Sequence, residues 1–427
     1  MIETTLEDFR PMMERCSNCL ACKWLPYEKI ESRRFGRNCP SAAYYSFNTY
    51  SARGRFHLGQ VLLDGRSEFT EQAVEAIHSC TACGSCDVSC KITRYNLEPL
   101  AHNIALKERA VELGKYYPGQ KAAIDCLEAE RTMLPGERHS ARTDWAKDLG
   151  LKDLTREKAE YAFFAGCQYS FGSGLAEKAR FWAGMLRDAG VDLGYLGKAD
   201  MCCGGRAKQM GFKGAFEKQA GANIAALKAA GVTAIVTPCS DCYHAFKRQY
   251  ATLGLEVKTL HVSELAADLL AEGRLKFKKS IDMTVTYHDP CHLGRLGEPY
   301  VPWDGVEKKV LNQIHTWDPP RPRYAGTFGV YDAPRSVLKA IPGLRLKEMQ
   351  RVREYSWCCG AGGGCSLSSP ELSSATASER LTEARSTGAD AIVTACPWCL
   401  RNLEKAVDEN GRQMKAVDIT ELVALAV

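Results

Sequence analysis

Two pairs of adjacent cysteines are the residues in this sequence best suited to metal chemistry. Cys358 and Cys359 precede a glycine-rich run, 360–364, and Cys202 and Cys203 precede two further glycines. Thiolate sulfur is a soft ligand that favours zinc, copper(I) and iron–sulfur clusters. Because glycine lacks a Cβ atom, the backbone after each pair can pack closely against a bulky group. The two pairs therefore predict two similar metal sites.

Each pair is the centre of a set of five cysteines, and the spacing is similar in both sets. The first set is Cys167, Cys202, Cys203, Cys239 and Cys242, and the second set is Cys291, Cys358, Cys359, Cys396 and Cys399. The pair is preceded by 34 intervening residues in the first set and by 66 in the second, and it is followed by 35 and 36. Five thiolates exceed the ligand number of a tetrahedral zinc ion or of a cubane cluster. They suggest an opened or split iron–sulfur cluster in which one thiolate bridges irons.

Eight further cysteines lie in two runs before residue 110. The runs are Cys16, Cys19, Cys22 and Cys39, and then Cys80, Cys83, Cys86 and Cys90. Such spacing is typical of bacterial ferredoxins with two 4Fe–4S cubanes, in which the fourth cysteine of each run binds the other cluster. Zinc sites also use C-x2-C pairs, but a third cysteine at the same interval in both runs disfavours zinc. The crossover predicts Cys16, Cys19, Cys22 and Cys90 for cubane one, and Cys80, Cys83, Cys86 and Cys39 for cubane two.

Length and composition describe a globular protein with an unusual number of cysteines. The chain has 427 residues, enough for two or three domains, and 20 of them are cysteine. A net charge of +5, without a compact basic tract, argues against nucleic acid. The acidic N-terminus is not expected to be a signal peptide, and no run of about 18 apolar residues indicates a membrane span. We therefore expect a cytoplasmic metal protein, held at the inner membrane face only through a partner, and not a secreted disulfide-linked protein.

Short strands alternating with helices must position the cysteines from residue 159 onwards. The apolar segment Ala-Ile-Val-Thr occurs at 234–237 and, 157 residues later, at 391–394, each time just before a C-x2-C pair. Ser-Glu-Leu at 263–265 recurs at the same offset as Thr-Glu-Leu at 420–422. Alternating strands and helices predict a parallel α/β sheet, which places its sites at the carboxyl ends of the strands. The sequence thus predicts a duplicated α/β domain with one cysteine set at that edge of each copy.

Changes of pattern divide the chain into four parts. These are a mostly helical two-cluster ferredoxin domain at 1–110, a polar linker at 111–158, and two α/β cysteine-rich domains at 159–278 and 279–427. A capped helix expected after Thr70 separates the two cysteine runs, which favours the helical ferredoxin domain of respiratory iron–sulfur subunits. Cys126 and Cys365 stand outside the cysteine patterns.

Two further motifs accompany the second cysteine set. They are Tyr-His-Asp-Pro-Cys-His-Leu-Gly-Arg at 287–295 and Val-Tyr-Asp-Ala-Pro-Arg at 330–335. Together with the two five-cysteine sets, these motifs resemble the cysteine-rich "CCG" domains found in the B-type and D-type subunits of heterodisulfide reductase. A ferredoxin domain ahead of two such domains resembles the D-type best, and the resemblance covers nearly the whole chain.

The resemblance implies four iron–sulfur cofactors. It implies one noncubane 4Fe–4S cluster on each five-cysteine set (noncubane one on the first set, noncubane two on the second), with a disulfide reduced between them, in addition to the two cubanes. We expect neither flavin nor nucleotide in this chain, because the glycine run at 360–364 lacks the full spacing of a dinucleotide loop.

Two functions are compatible with this resemblance. The first is an iron–sulfur oxidoreductase subunit that passes electrons through the cubanes to the noncubane clusters, where a disulfide or thiol is reduced or oxidised. The alternative is an electron-transferring subunit that links a flavoprotein to a quinone or to a reductase such as a benzoyl-CoA reductase complex. Two complete five-cysteine sets favour the first function, because a subunit that only transfers electrons does not need two noncubane clusters. Both require a flavoprotein or other electron-transfer subunits as partners, or a quinone-reactive or haem subunit in the membrane. A structural zinc protein is the most distant option.

Three further features bear on mechanism. His292 and Arg295 follow a ligand cysteine and are candidate catalytic residues, which can bind anionic groups or protonate a leaving thiolate, although capping of local structure is an equal alternative. His288, at a strand end, is expected to be structural. Residues 297–328 lengthen the approach to Cys358 relative to other family members. A surface loop is the simpler interpretation of this insertion, and a lid or docking surface is the alternative.

Overall fold

The N-terminal domain consists mainly of short helices. The computed structural model describes residues 5–93, 96–299, 303–311, 314–409, 411 and 414–427. The helices of this domain are α1 (Arg10–Arg15), α2 (Pro40–Tyr45), α3 (Ala52–Leu63), α4 (Glu71–His78), α5 (Ser85–Lys91) and α6 (Pro99–Glu112). Thr70 caps α4 by accepting a hydrogen bond from the Ala73 N–H at 3.2 Å, as expected. Met13, Phe56 and Leu106 are buried in the apolar core of this domain.

The stretch at 111–158, expected to be a polar linker, is folded onto the first cysteine-rich domain. It contains α7 (Pro118–Glu130) and the short strand β1 (Lys152–Asp153). Leu127 and Trp145 are buried in the same core as the first sheet, so this stretch contributes to that domain as well as connecting to it.

The first cysteine-rich domain is a parallel sheet flanked by helices. Its elements are β2 (Tyr161–Phe163), α8 (Gly166–Phe171), α9 (Ala176–Asp188), β3 (Leu193–Tyr195), α10 (Gly205–Met210), α11 (Lys213–Ala230), β4 (Ala234–Thr237), α12 (Ser240–His244), β5 (Lys258–His261) and α13 (Val262–Ala271). The strand order is β1-β3-β2-β4-β5, and all pairs are parallel.

The second cysteine-rich domain repeats this arrangement. Its elements are β6 (Met283–His288), the hairpin β7 (Val306–Val310) and β8 (Ile314–Asp318), α14 (Asp332–Lys339), β9 (Leu344–Leu346), α15 (Cys365–Ser368), α16 (Pro370–Ser386), β10 (Ala391–Thr394), α17 (Pro397–Glu409), β11 (Lys415–Asp418) and α18 (Ile419–Ala426). Its parallel sheet has the order β11-β10-β6-β9.

The duplication seen in the sequence is confirmed by the topology. Without β1, the order β3-β2-β4-β5 of the first sheet corresponds to β9-β6-β10-β11 of the second. The Ala-Ile-Val-Thr strands β4 and β10 are buried along their whole length, as expected for strands inside a parallel sheet. His261 and Asp418 occupy matching places, since each is the final residue of the last strand and caps the next helix together with a glutamate three residues later. The predicted α/β class is therefore correct.

The insertion at 297–328 contains an antiparallel hairpin. Its strands β7 and β8 pair from Val306 with Asp318 to Val310 with Ile314, and residues 300–302 and 312–313 lie outside the described ranges. The hairpin packs on the ferredoxin domain: Glu307 forms an ion pair with Arg15. The insertion is thus more regular than the surface loop that the sequence favoured.

Candidate metal centres

The five cysteines of the first set are buried and in contact with one another. The thiol of Cys167 contacts that of Cys202, which contacts Cys203, and Cys203 in turn contacts Cys242. Cys239 joins the set through Cys242. Cys167 follows β2, the pair follows β3 and the C-x2-C residues follow β4, so parallel strands deliver all five to one edge of the sheet.

The second set has the same connectivity in the other domain. The thiol of Cys291 contacts that of Cys358, which contacts Cys359, and Cys359 contacts Cys399. Cys396 joins the set through Cys399. Hydrogen bonds from the thiols of Cys358 and Cys399 lower the pKa of Cys359 to about 5, which places a thiolate at the middle of this set.

Backbone geometry around both pairs suits bound sulfur. The N–H of Gly204 donates to the Cys202 sulfur at 3.3 Å, and the N–H of Gly360 donates to the Cys358 sulfur at the same distance. Both glycines have positive φ, 69° and 92°, a conformation that other residues rarely adopt. A Cβ atom on Gly166 would lie 2.8 Å from the Cys242 sulfur. The donor set and its glycine cradle therefore fit an iron–sulfur cluster.

Four cysteines of the ferredoxin domain surround one cavity. The residues that line it include Cys39, Cys80, Cys83 and Cys86. These are the residues that the ferredoxin crossover predicts for cubane two. Burial raises the pKa of Cys39 to about 11, so a bound cation is needed to keep this thiol ionised at neutral pH. Iron supplies such a charge and deprotonates its thiol ligands.

The remaining four cysteines of the ferredoxin domain lie nearer the surface. Cys22 is close to Cys16 and Cys19, and Cys16 and Cys90 pack against the same apolar core. Burial raises the pKa of Cys22 to about 12, whereas Cys19 is exposed. The structure thus brings the residues expected for cubane one into one region of this domain, with one ligand at the surface.

Three of the four groups of cysteines are connected by contacts between thiols. The Cys83 thiol, from the predicted cubane two, contacts the Cys358 thiol of the second set. The Cys396 thiol of the second set contacts the Cys239 thiol of the first set. These two contacts bring the ferredoxin domain next to the second set and the second set next to the first.

The two predicted catalytic residues have different surroundings. His292 is buried, and its Nδ1 contacts the Asp241 carboxylate. Burial raises the pKa of Asp241, but His292 and Arg206 outweigh that effect and lower it to about 2. The side chain of His292 lines a narrow cleft beside Cys291, so a role at the second set stays a prediction.

Arg295 connects two loops and does not line the cleft. Its Nε donates to the Cys83 carbonyl at 2.8 Å, and one Nη donates to the Glu354 carbonyl at 2.6 Å and to Ser85 Oγ at 3.1 Å. These bonds hold the loop of the predicted cubane two against the segment that leads to Cys358. The contacts favour a positioning role over direct substrate binding.

Three residues that the sequence interpretation missed complete the cleft, namely Arg206, Asp241 and Trp398. Arg206, which follows the glycines of the first pair, donates to the Ala361 carbonyl at 2.8 Å and lies 3.8 Å from the ring centroid of Trp398. Its guanidinium also approaches Asp241 at 3.4 Å. The cleft therefore carries paired charges from the first domain above the cysteines of the second. In the sequence, the one sign of this cleft was the arginine that directly follows Cys-Cys-Gly-Gly.

Three buried cations surround the predicted cubane two. Lys107 donates to the carbonyls of Cys80 and Gly363, at 2.8 and 2.7 Å. Arg55 donates to the carbonyls of Ala76 and Tyr50 and to two serine hydroxyls. Arg295 is the third. In the part of the chain that the structure describes, none of the three pairs with a carboxylate. Buried cations are costly without an anion, and a cluster held by four thiolates supplies one.

Comparison with known proteins identifies related domains over most of the chain. The 4Fe-4S dicluster domain family matches residues 12–93, and the cysteine-rich domain family, CCG, matches residues 161–247 and 322–404. These matches agree with the predicted ferredoxin domain and with the duplicated cysteine-rich domain. Among the described residues, none of the helices combines the length and the apolar character that crossing a membrane requires.

Several relatives are similar over long stretches. The D-type subunit of dihydromethanophenazine:CoB--CoM heterodisulfide reductase from Methanosarcina mazei is 30% identical over 426 residues, which cover 97% of this chain and 94% of that protein. Its counterpart from Methanosarcina acetivorans is 30% identical with the same coverage. The EtfAB:quinone oxidoreductase of Syntrophomonas wolfei is 28% identical over 82% of this chain, but the match spans only 46% of that protein. A crystal structure of a hypothetical protein from Helicobacter pylori supports the fold alone, with a TM-score of 0.53, 11% identity, and coverage of 88% of this chain and 67% of that one.

Proposed function

Because the chain belongs to the family of the D-type heterodisulfide reductase subunits, we propose that it is an iron–sulfur subunit that reduces or forms the disulfide of a substrate. The substrate would lie between the two five-cysteine sets. The contact between Cys239 and Cys396 carries this proposal, since it brings two complete sets together. Cys16, Cys19, Cys22 and Cys90 would hold one cubane, and Cys39, Cys80, Cys83 and Cys86 the other. The first and second sets would each hold a noncubane cluster. When bound, the clusters supply one-electron transfer.

The residues of the cleft provide the other requirements of this reaction. Reduction of a disulfide breaks the S–S bond, and each sulfur takes up one electron and one proton, so two electrons must arrive at one place. Arg206 offers positive charge near Cys291 and His292 offers an imidazole ring there, while Asp241 holds both in place. The Trp398 ring covers the Arg206 guanidinium and fixes its position. The chain thereby binds and orients sulfur groups at the second set.

Iron analysis and turnover test the proposal together. Protein purified without oxygen is expected to contain about sixteen irons, four for each 4Fe–4S cluster, and little zinc. The CoB–CoM heterodisulfide, which the relatives' name specifies, is the first substrate to assay with a low-potential electron donor. Full iron together with no reduction of any disulfide tested would contradict the enzyme and leave the electron-transferring alternative.

The electron-transferring alternative rests on a separate observation. The cleft at the second set is narrow, with a volume of about 10 Å³, and the EtfAB:quinone oxidoreductase relative is named for a quinone acceptor instead of a disulfide. In this alternative the chain would link a flavoprotein to a quinone or a reductase. The two functions differ in one respect: only the enzyme consumes a disulfide.

Lys107 is expected to raise the reduction potential of the predicted cubane two. Removing its charge in Lys107→Met should favour the oxidised cluster by at least about tenfold, which corresponds to about 59 mV for one electron. Redox titration followed by electron paramagnetic resonance measures the shift. Lys107→Arg should retain most of the wild-type potential because the charge is kept.

Lys91 offers a matched control for this variant. It is also buried, but it lies 3.9 Å from Glu98 and beside Cys90 of the other predicted cubane. Lys91→Met should leave the potential of cubane two unchanged. Equal shifts in both variants would mean that a general loss of packing, and not a specific charge, sets the potential.

The hairpin of the insertion is proposed to dock an electron-transfer partner at the predicted cubane one. Its outer face exposes Val306, Val310, Leu311 and Ile314, whereas its inner face is anchored to Arg15, the neighbour of Cys16. Exposed apolar patches mark interaction surfaces. The position next to the cluster with a surface ligand, Cys19, favours a redox protein as the occupant.

Replacing Val310, Leu311 and Ile314 by serine should slow reduction of the clusters by a reduced electron-transfer flavoprotein about tenfold or more. Stopped-flow absorbance records the rate. Reduction by dithionite, a small donor that needs no docking, should remain at the wild-type rate. If the flavoprotein also reduces the variant at the wild-type rate, the insertion is only a surface element.

A further inference from the structure

His288 occupies a position that the proposed mechanism does not use. It is the last residue of β6 and is buried, with 1% of its surface exposed. One of its ring nitrogens and the sulfurs of Cys359 and Cys399 all lie within 4.8 Å of one another. The sequence interpretation expected this histidine to be structural. Its surroundings show that it also lies at the second cysteine set.

The tautomer of His288 follows from its one hydrogen bond. Arg380 Nε donates to His288 Nδ1 at 3.0 Å. A guanidinium is always protonated and can only donate, so Nδ1 must be the acceptor and Nε2 must carry the proton. Within the described ranges, Nε2 is a buried atom without a hydrogen-bond partner. A buried N–H is rarely left without an acceptor. Sulfur at the second set is the acceptor that lies nearby.

Arg380 is itself held firmly, which fixes the ring. Its guanidinium donates to Glu383 at 2.7 Å, to the Arg351 carbonyl at 2.9 Å and to Ser356 Oγ at 3.1 Å. Ser356 lies two residues before Cys358. The same network therefore positions the His288 ring and the segment that carries the cysteine pair.

The first domain lacks this donor at the matching place. Phe164 precedes Cys167 by three residues, as His288 precedes Cys291, and both lie at the ends of the equivalent strands β2 and β6. The phenyl ring of Phe164 packs against Phe246 and offers no N–H. The first set has a different donor instead, because Arg142 donates to the Cys167 sulfur at 3.5 Å.

We propose that His288 Nε2–H donates a hydrogen bond to a sulfur at the second set and that this bond makes the second set a better electron acceptor. The inference rests on the proposed function, because the sulfur belongs to the cluster or to the thiolate bound there. A donor stabilises sulfur more strongly as negative charge accumulates on it, which raises the reduction potential. His288 keeps its proton in this role. The two protons that the product thiols require come from water.

Two variants separate the bond to Arg380 from the bond to sulfur. His288→Asn keeps an oxygen near the place of Nδ1, so Arg380 retains an acceptor. The shorter side chain has no N–H that reaches the place of Nε2–H. His288→Gln reaches further and places an amide N–H near Nε2. We expect His288→Asn to bind the full iron complement and to shift the reduction equilibrium of the second centre at least about tenfold towards the oxidised state. His288→Gln should lie closer to wild type.

Redox titration followed by electron paramagnetic resonance gives the readout, and Phe164→Leu is the matched control, expected to leave the second centre unchanged. Identical potentials in wild type and both His288 variants would overturn the inference and leave His288 purely structural. Loss of about four irons in both variants would overturn it in favour of a direct ligand. If the wild-type protein never binds about sixteen irons, the proposed function fails and this inference with it.

Discussion

Replacing Cys359 by serine is expected to remove about four of about sixteen irons and to abolish disulfide turnover. Cys359 lies at the middle of the second set, in contact with both Cys358 and Cys399. A hydroxyl is a poor ligand for iron compared with a thiolate, so the loss of this residue disconnects both halves of the set. Iron content and turnover are measured on protein purified without oxygen.

The other cysteines supply the controls for this experiment. Cys126 stands outside the sets, and its thiol donates to the Leu134 carbonyl, so Cys126→Ser should keep all irons and full turnover. Cys203→Ser, in the first set, should lose the same amount of iron as Cys359→Ser. Retention of full iron and turnover by Cys359→Ser would mean that the five cysteines do not hold a cluster in the proposed way.

Neutralising Glu383 is expected to cause the largest loss of stability outside the cysteine sets. The side chains of Glu383, Arg351 and Arg380 are fully buried, and the single carboxylate pairs with both guanidiniums. Breaking a buried ion pair by removing one partner costs about 3–5 kcal/mol, because a charge is left uncompensated. Glu383→Gln keeps the size of the side chain and removes the charge. The free energy of unfolding of the second domain should therefore fall by about that amount.

Urea unfolding followed by tryptophan fluorescence suits this prediction, because Trp357 lies 4.4 Å from the Arg351 guanidinium. Glu379→Gln is the matched control. Glu379 also pairs with Arg351, at 2.9 Å, but its side chain is partly exposed and Arg351 keeps Glu383. Its replacement should cost about 1 kcal/mol or less. Equal losses in the two variants would refute the claim that the buried carboxylate is the essential partner.

The sequence was sufficient to predict the repeated domain. Short apolar strands such as 234–237 and 391–394 end at cysteines, and this local pattern determines both the α/β class and the edge at which the sulfurs lie. Ligand spacing was equally informative for the ferredoxin domain, since a tight loop with cysteines at intervals of three can only present them to one point. These predictions depend on residues that are close in sequence.

What the sequence did not reveal depends on contacts between distant segments. Cys83 and Cys358 belong to two different domains and contact each other. The pattern of apolar residues in a sequence does not indicate how domains pack. The donor role of His288 depends on Arg380, which is 92 residues away. The folding of 111–158 against the first sheet, likewise, comes from a few isolated apolar side chains such as Trp145. Pairing of such residues is decided by the tertiary structure.

The central claim is that the two five-cysteine sets meet at a bound sulfur substrate. Its most direct test is electron paramagnetic resonance of protein purified without oxygen and then oxidised in the presence of cysteine, glutathione or coenzyme A. We predict a paramagnetic signal that requires thiol, is present in Cys126→Ser and is absent from Cys359→Ser. No thiol-dependent signal in wild-type protein with about sixteen irons would contradict the claim and leave the chain as a conductor of electrons between its partners.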